Sequence, residues 1–144
     1  MIIIKSEQEI QLMRESGEVT GYILRELEDF IKPGISTKDI NDHVEHIITS
    51  HGMIPTFKGY QGYPAAVCAS INEEVVHGIP DANRILQEGD IISVDIGSTH
   101  KGYVSDAART YGVGKISEEN QHLIDTAKAG FFAALEFCKP GYRL

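Results

Sequence analysis

Two aspartates eleven residues apart, Asp95 and Asp106, stand in runs that otherwise read as β-strand. The run Asp90-Ile91-Ile92-Ser93-Val94-Asp95-Ile96 is β-branched and almost wholly apolar, as a buried strand should be. A turn-prone stretch follows, Gly97-Ser98-Thr99-His100-Lys101-Gly102, and then a second strand-like run from Tyr103 to Val113. A hairpin folded symmetrically about the point between His100 and Lys101 sets Asp95 directly opposite Asp106, with Cβ atoms about 4.5–5.5 Å apart. A bulge would alter that register. Like charges so placed repel, and shared divalent cations are the simplest means of keeping both ionised, because hard oxygen ligands suit them and their charge offsets the repulsion. The same spacing also fits one buried, hydrogen-bonded aspartate and one solvated one.

Other groups could serve the same chemistry. Gly59-Tyr60-Gln61-Gly62-Tyr63-Pro64 alternates glycines with aromatics, so the backbone can bend and bring tyrosine rings to a ligand. A turn whose tyrosines cover the core fits it as well. His77, at the end of Glu74-Val75-Val76-His77, is followed at once by Gly78 and a Pro80-Asp81 turn. That places an imidazole at a strand end, where it could hydrogen-bond a polar substrate group or move protons near neutral pH. A histidine in an apolar strand is also commonly a satisfied core residue. Cys68 has no His and Asn at a spacing that would make it a nucleophile.

The elements that must position these groups announce themselves by their caps. Ser6-Glu7-Gln8-Glu9 is a capping box, followed by apolar residues at Ile10, Met13, Leu24, Leu27 and Ile31 and a stop at Pro33-Gly34. Gly17 and Gly21 on this helix leave room for another element to approach. Ser36 caps a second helix with Ile40, Val44, Ile47 and Ile48 on one face, ending at Gly52. Ser117 caps a third, with Leu123, Ile124, Ala127, Phe131 and Leu135 expected to face inward. Between the second and third helices, Ala66 to Ser70 and Glu74 to His77 read as short strands preceding the hairpin. Helix, helix, strands, helix implies an α+β layer, with helices covering one face of a mainly antiparallel sheet. The first and third helices both close on Lys-Pro-Gly, at Lys32-Pro33-Gly34 and Lys139-Pro140-Gly141, an interval of 107 residues. Pro-Gly is common after any helix, and an internal structural repeat would produce the same recurrence.

The composition sets bounds. The 144 residues make about one ordinary domain, with 42% hydrophobic and 24% charged residues, usual for a globular protein. A formal net charge of −8 without clustered Lys and Arg argues against a nucleic-acid partner. Two cysteines, Cys68 and Cys138, imply no disulfide framework, and a reducing cytosol is the expected compartment. The apolar start Ile2-Ile3-Ile4 is cut short by Lys5, too brief for a signal or membrane segment, so no membrane partner is expected.

Taken together, Gly59-Tyr60-Gln61-Gly62-Tyr63-Pro64, Val67-Cys68-Ala69-Ser70-Ile71-Asn72-Glu73, Val76-His77-Gly78-Ile79-Pro80, Gly89-Asp90, Asp95 and Asp106 resemble bacterial type I methionine aminopeptidase. The resemblance covers nearly the whole chain and is most specific between Gly59 and Arg109. It implies the "pita-bread" α+β architecture of two pseudo-symmetric halves, with residues 1–144 as a single domain forming the first half and the second absent. The Lys-Pro-Gly recurrence fits a second half-repeat beginning where this sequence stops. The implied activity is a metalloaminopeptidase that removes the initiator methionine from nascent polypeptides at a dinuclear divalent-metal site, with Co, Mn, Fe and Zn not distinguished. By position, Asp95 looks like the metal-binding aspartate of the first strand and Asp106 like the one bridging both metals. His77 looks like the catalytic histidine that contacts the scissile peptide and steadies the tetrahedral intermediate. Tyr60, Tyr63 and Cys68 match residues lining the methionine pocket, which suits a soft thioether.

Two features depart from the family. Its usual His-Gly before the second aspartate reads Val104-Ser105 here, similar to the related Xaa-Pro peptidases, although the Asn-Glu-x-x-x-His-Gly-Ile-Pro signature favours methionine aminopeptidase. In the family, one further histidine and two glutamates ligate metal from the second half. Glu118, Glu119, His122, Asp125 and Glu136 lie downstream of Asp106, but a solvated helix face accounts for them. The resemblance therefore leaves an Xaa-Pro peptidase relative and a non-catalytic peptide- or partner-binding half as alternatives. For this chain alone it leads us to expect weak or no metal binding, little peptidase activity and an apolar face covered by a second copy in a homodimer.

Overall fold

In the computed structural model, which describes residues 3–143, the three helices begin at the three expected caps. The Ser6 hydroxyl accepts from the Glu9 N–H while the Glu9 carboxylate accepts from the Ser6 N–H, opening α1 (Glu7–Phe30). Ser36 and Asp39 repeat the reciprocal box at α2 (Thr37–Ser50), and Ser117 accepts from the Asn120 N–H at α3 (Glu118–Leu135). Such caps satisfy N–H groups that a helix start otherwise leaves without partners.

Helix α1 buries Val19, Ile23, Leu24 and Leu27, whereas Ile10 and Met13 stay largely exposed, so only its C-terminal two-thirds belongs to the core. Gly17 does not mark a tight crossing, since a β-carbon there would lie 3.8 Å from Ser105 Oγ, an ordinary contact. Helix α2 buries Ile40, Val44, Ile47 and Ile48, as its spacing predicts.

Both helices cover one face of an antiparallel sheet of β1 (Ile54–Pro55), β2 (Val67–Ile71), β3 (Ile91–His100) and β4 (Tyr103–Gly112). Strand β3 is its axis. It pairs with β4 along its full length, and with β2 and β1 at successive points from Ile92 to Thr99. Period-two alternation sends Ile92, Val94, Ile96 and Ser98 under the helices, where all four are completely buried. Ser93, Asp95, Gly97 and Thr99 fall on the opposite face. Burial of each large apolar side chain is worth about 1.5–3 kcal/mol, and the one polar residue in that row is fully bonded. Ser98 Oγ lies 2.8 Å from Ser16 Oγ and 2.9 Å from Thr20 Oγ1, fastening α1 to the sheet. Tyr111 adds a second fastening, its hydroxyl donating to the Leu24 carbonyl at 2.6 Å.

Three elements differ from the sequence expectation. Glu74 to His77 is not a strand: Asn72 turns the chain at φ 52°, the Glu74 carboxylate takes the Ile71 N–H, and Val75 and Val76 stand in solvent. Strand β1 is too short to show an alternating pattern, and it pairs with β3 through Ile54–Thr99 and Pro55–Ser98. Helix α3 forms where expected but buries none of its residues: of the apolar ones Leu123, Phe131 and Leu135 are exposed, Phe131 to 61%, and Ile124 is half-buried. The helix side of the sheet is already occupied by α1 and α2, so α3 runs off beyond β4 with its apolar residues unmatched among the described residues.

Candidate active site

The turn of the hairpin sets the site. Lys101 at φ 48° and Gly102 at φ 87° form a two-residue connection with both φ values positive, the conformation that matches the twist of the strands it joins. His100 therefore pairs with Tyr103, Asp95 with Ala108, and Gly97 with Asp106. The directly opposed register expected for Asp95 and Asp106 is corrected by one residue at the turn, which moves each partner two places along β4. Because two places preserve the face, the aspartates remain on the same open side as diagonal neighbours, within reach of long side chains and each other's charge.

Their environment is asymmetric. Asp95 is half-buried and Asp106 exposed. Burial first, and then the charge and hydrogen bonding of Asp106, push the Asp95 carboxyl up to about 6, against the opposing pull of the Ile96 N–H and the His77 charge. Asp95 Oδ1 is buried without a hydrogen-bond partner. An unsatisfied buried acceptor costs about 1–3 kcal/mol, and a neighbouring carboxylate increases the penalty. A divalent cation relieves both, so the two carboxylates fit the hard-ligand set expected of them. Among the described residues no third His, Cys, Asp or Glu joins them in a group that could hold a metal ion.

Hydroxyl pairs flank the aspartates on the same face. Ser93 Oγ and Thr110 Oγ1 are 2.8 Å apart on one side, and Thr56 Oγ1 and Thr99 Oγ1 are 2.8 Å apart on the other. Gly97, across from Asp106, lies against Phe57, whose Cε1 would be 2.7 Å from any β-carbon added there. The sequence did not single out Gly97, Phe57 or these hydroxyls, yet a Lys-Gly turn signal would have placed Gly97 opposite Asp106.

Cys68 pairs with Asp95 across β2 and β3, so its thiol shares the aspartates' face. Burial, Asp95 and Asp106 raise its pKa, while the Tyr63 hydroxyl, within hydrogen-bonding reach, lowers it. Tyr63 is raised mainly by burial, then by Cys68 and Asp95. Its hydroxyl donates to the carbonyls of Val67 at 3.0 Å and Gly78 at 3.2 Å, tying the segment after His77 to β2. Gly78 lies so close to β2 that a β-carbon on it would be 2.2 Å from the Ala69 oxygen. His77, immediately before it, adopts φ 62°, a left-handed conformation uncommon outside glycine. The structure thus gathers Tyr63, Cys68, His77, Asp95 and Asp106. Tyr60 stands apart on a 3₁₀ turn (Tyr60–Gly62), 67% exposed, with Gln61 Nε2 donating to its hydroxyl at 3.3 Å. Gly59 and Gly62, both at positive φ, supply the bend expected of that loop. Glu118, Glu119, His122, Asp125 and Glu136 are exposed, as expected of a solvated face.

Comparison with known proteins supplies the last observation. The sequence profile described as metallopeptidase family M24 matches residues 11–144. The chain is 51% identical over 144 residues to a methionine aminopeptidase of Clostridium acetobutylicum, covering 100% of this chain and 58% of that protein. It is 46% identical over 144 residues to methionine aminopeptidase 1 of Bacillus subtilis, again 100% against 58%. The crystal structure of a methionine aminopeptidase from Thermotoga maritima superimposes with a TM-score of 0.95 at 40% identity, over 98% of this chain and 57% of that one. The chain thus spans a little over half the length of these relatives, and over that length it has their α+β pita-bread architecture.

Proposed function

The chain belongs to metallopeptidase family M24, and on that premise we propose that it carries the aspartate pair, the imidazole and the side-chain pocket of an aminopeptidase that removes N-terminal methionine from nascent polypeptides. The observation that carries the reading is the pair Asp95 and Asp106 on one open sheet face, the former with a buried oxygen that no donor meets. In this reading the two aspartates hold divalent cations, and carboxylate oxygens alone do not distinguish Co, Mn, Fe and Zn. Bound there, such cations supply Lewis-acid polarisation of a scissile carbonyl.

The chain's own residues do the rest. Asp95 and Asp106 fix where the reacting carbonyl lies relative to β3 and β4. His77 presents a hydrogen-bonding imidazole at the edge of that position, and one well-placed donor on developing negative charge is worth roughly 10²–10³ in rate. Half-buried Tyr63 and buried Cys68 form a wall whose thiol and ring suit a thioether, with Tyr60 at its solvent rim. The substrates are made in the cytosol, the compartment in which the free Cys68 and Cys138 would persist as thiols. The exposed apolar residues of α3 lead us to include self-association of this chain in the proposal.

Hydrolysis of Met-Ala and Ala-Pro peptides with added Mn²⁺ or Co²⁺, by a full-length version of the protein as parent and by its His77→Ala variant, tests the reading, the 144-residue chain alone being expected to show little activity. Selective release of methionine that falls about 10²-fold or more in His77→Ala is the expected result. Cleavage of Ala-Pro alone would select an Xaa-Pro peptidase, a similarity suggested by Val104-Ser105. Metal-dependent peptide binding without hydrolysis would select the non-catalytic module.

A further inference from the structure

His77 stands in a left-handed conformation and is solvent-exposed, so neither its own backbone preference nor core packing keeps it there. Such positions are strained and persist only where the surroundings over-determine them. On one side of His77 lies Gly78, whose N–H donates to Ser70 Oγ at 3.1 Å and whose carbonyl accepts from the Ala69 N–H at 2.8 Å. These bonds fix Gly78 to β2 but leave the approach from Asn72 to Val76 unexplained, because Val75 and Val76 contribute no burial.

Arg84 provides the missing restraint. Its Nη1 donates to the Ile79 carbonyl at 2.9 Å and to the Ala69 carbonyl at 3.4 Å, and its Nη2 donates to the Glu74 carboxylate. That carboxylate in turn accepts from the Ile71 N–H at 2.8 Å. One planar guanidinium therefore joins a residue three before His77, a residue two after it, and the strand that carries Cys68. The base of Arg84 is fixed as well, since its carbonyl accepts from the Thr37 N–H at the start of α2 at 2.9 Å. Lysine could pair with Glu74, but its compact ammonium lacks the fork that reaches three acceptors at once.

We propose that Arg84 is a positioning residue for His77, holding the Glu74–Ile79 turn closed so that the imidazole stays beside the aspartate pair. The proposal rests on the reading of His77 given above, and its test separates the two. Amide hydrogen exchange of the 144-residue chain reads the turn directly. Arg84→Met is expected to speed exchange at Ala69 and Gly78 about tenfold or more while Val94 and Ile96 in β3 keep their protection, the pattern of a local opening. Arg84→Lys should fall between the two. Glu74→Gln, which leaves the guanidinium in place, should loosen the same two amides to a smaller extent, and it decides the matter if Arg84→Met does not fold. In the methionyl-peptide assay Arg84→Met should lower kcat with little change in KM, and Arg84→Lys should partly restore it. Unchanged exchange at Ala69 and Gly78, or loss of protection spread evenly through β3, overturns the proposal. So does a parent-like kcat in Arg84→Met alongside an impaired His77→Ala. If His77→Ala hydrolyses methionyl peptides as well as the parent does, the functional reading of His77 fails, while the exchange result still decides whether Arg84 holds the turn.

Discussion

Replacing Asp95 by Asn removes the one carboxyl that burial and a like-charged neighbour both disfavour in its ionised form. Its pKa rises from an ordinary 3.8 to about 6, roughly two units, and each unit corresponds to about 1.4 kcal/mol. The upper bound is therefore about 3 kcal/mol, and partial access to water on the open face reduces it to about 1–2 kcal/mol. The sign follows from linkage. A carboxyl whose native pKa is raised gives its full stabilising contribution below the unfolded value and loses it as pH rises through the native one. Metal-free chain should thus lose stability through Asp95 between about pH 4 and pH 7, and Asp95→Asn should not. Other carboxylates, such as Glu9, Asp39 and Asp42, are held below their ordinary values by their hydrogen bonds and give the opposite slope. They are common to both proteins and cancel in the difference. Urea denaturation of the two chains across this window, with chelator present, should show Asp95→Asn gaining on the parent as pH rises, and Mn²⁺ at high concentration should then narrow that gain by stabilising only the parent. A difference that stays flat with pH would refute the assignment of a charge penalty to Asp95.

Gly97→Ala should destabilise by about 1–3 kcal/mol in the same measurement, because its β-carbon would meet Phe57 Cε1 at 2.7 Å and Thr56 Cβ at 2.9 Å; an unchanged midpoint would mean that the Thr56–Phe57 segment yields freely. Tyr111→Phe should cost about 1–2 kcal/mol, since it leaves the buried Leu24 carbonyl without the hydroxyl that donates to it, and a neutral effect would show that water or Arg109 replaces it. Exposed Leu123, Phe131, Phe132 and Leu135 on α3 should make sedimentation concentration-dependent, and Phe131→Glu with Phe132→Glu should suppress this. A clean monomer of the parent at every concentration would rule that association out.

Caps and periodicity were legible because they are local. Ser6, Ser36 and Ser117 each bond a backbone N–H three residues on, and the stripe of α2 depends on nothing beyond its own turn of 3.6 residues. The strand pair β3 and β4 was legible for the same reason, its alternation being a property of each run. What failed was decided between elements. Glu74 to Val76 reads as strand by composition, yet β2 gives that edge only Gly78 to bond, and Arg84 draws Glu74 away into a turn. The apolar residues of α3 mark a helix correctly but cannot say what it faces. At the site, residue types and spacing singled out Asp95, Asp106 and His77, and the family resemblance added Tyr60, Tyr63 and Cys68, of which Tyr60 stands apart; the partners that set the local geometry, Gly97 and Arg84, carry no chemistry that a sequence would advertise.

The two-residue turn at Lys101-Gly102 has a bearing on how such sites can change. With the separation of the aspartates fixed at eleven, connections of two or four residues keep both carboxylates on one face, while one of three residues sends them to opposite faces. A residue inserted at this exposed tip raises that separation to twelve. Absorbed by the turn as a three-residue connection, it leaves every pairing between β3 and β4 as it is, and both carboxylates on their shared face. A one-residue slip would instead turn every β4 side chain over, buried Tyr111 included, so the core opposes it. The register of the pair is thus held by what lies beneath the sheet and not by the length of the turn. Glycines inserted after Gly102 should leave divalent-cation binding unchanged while folding stability declines slowly with loop length.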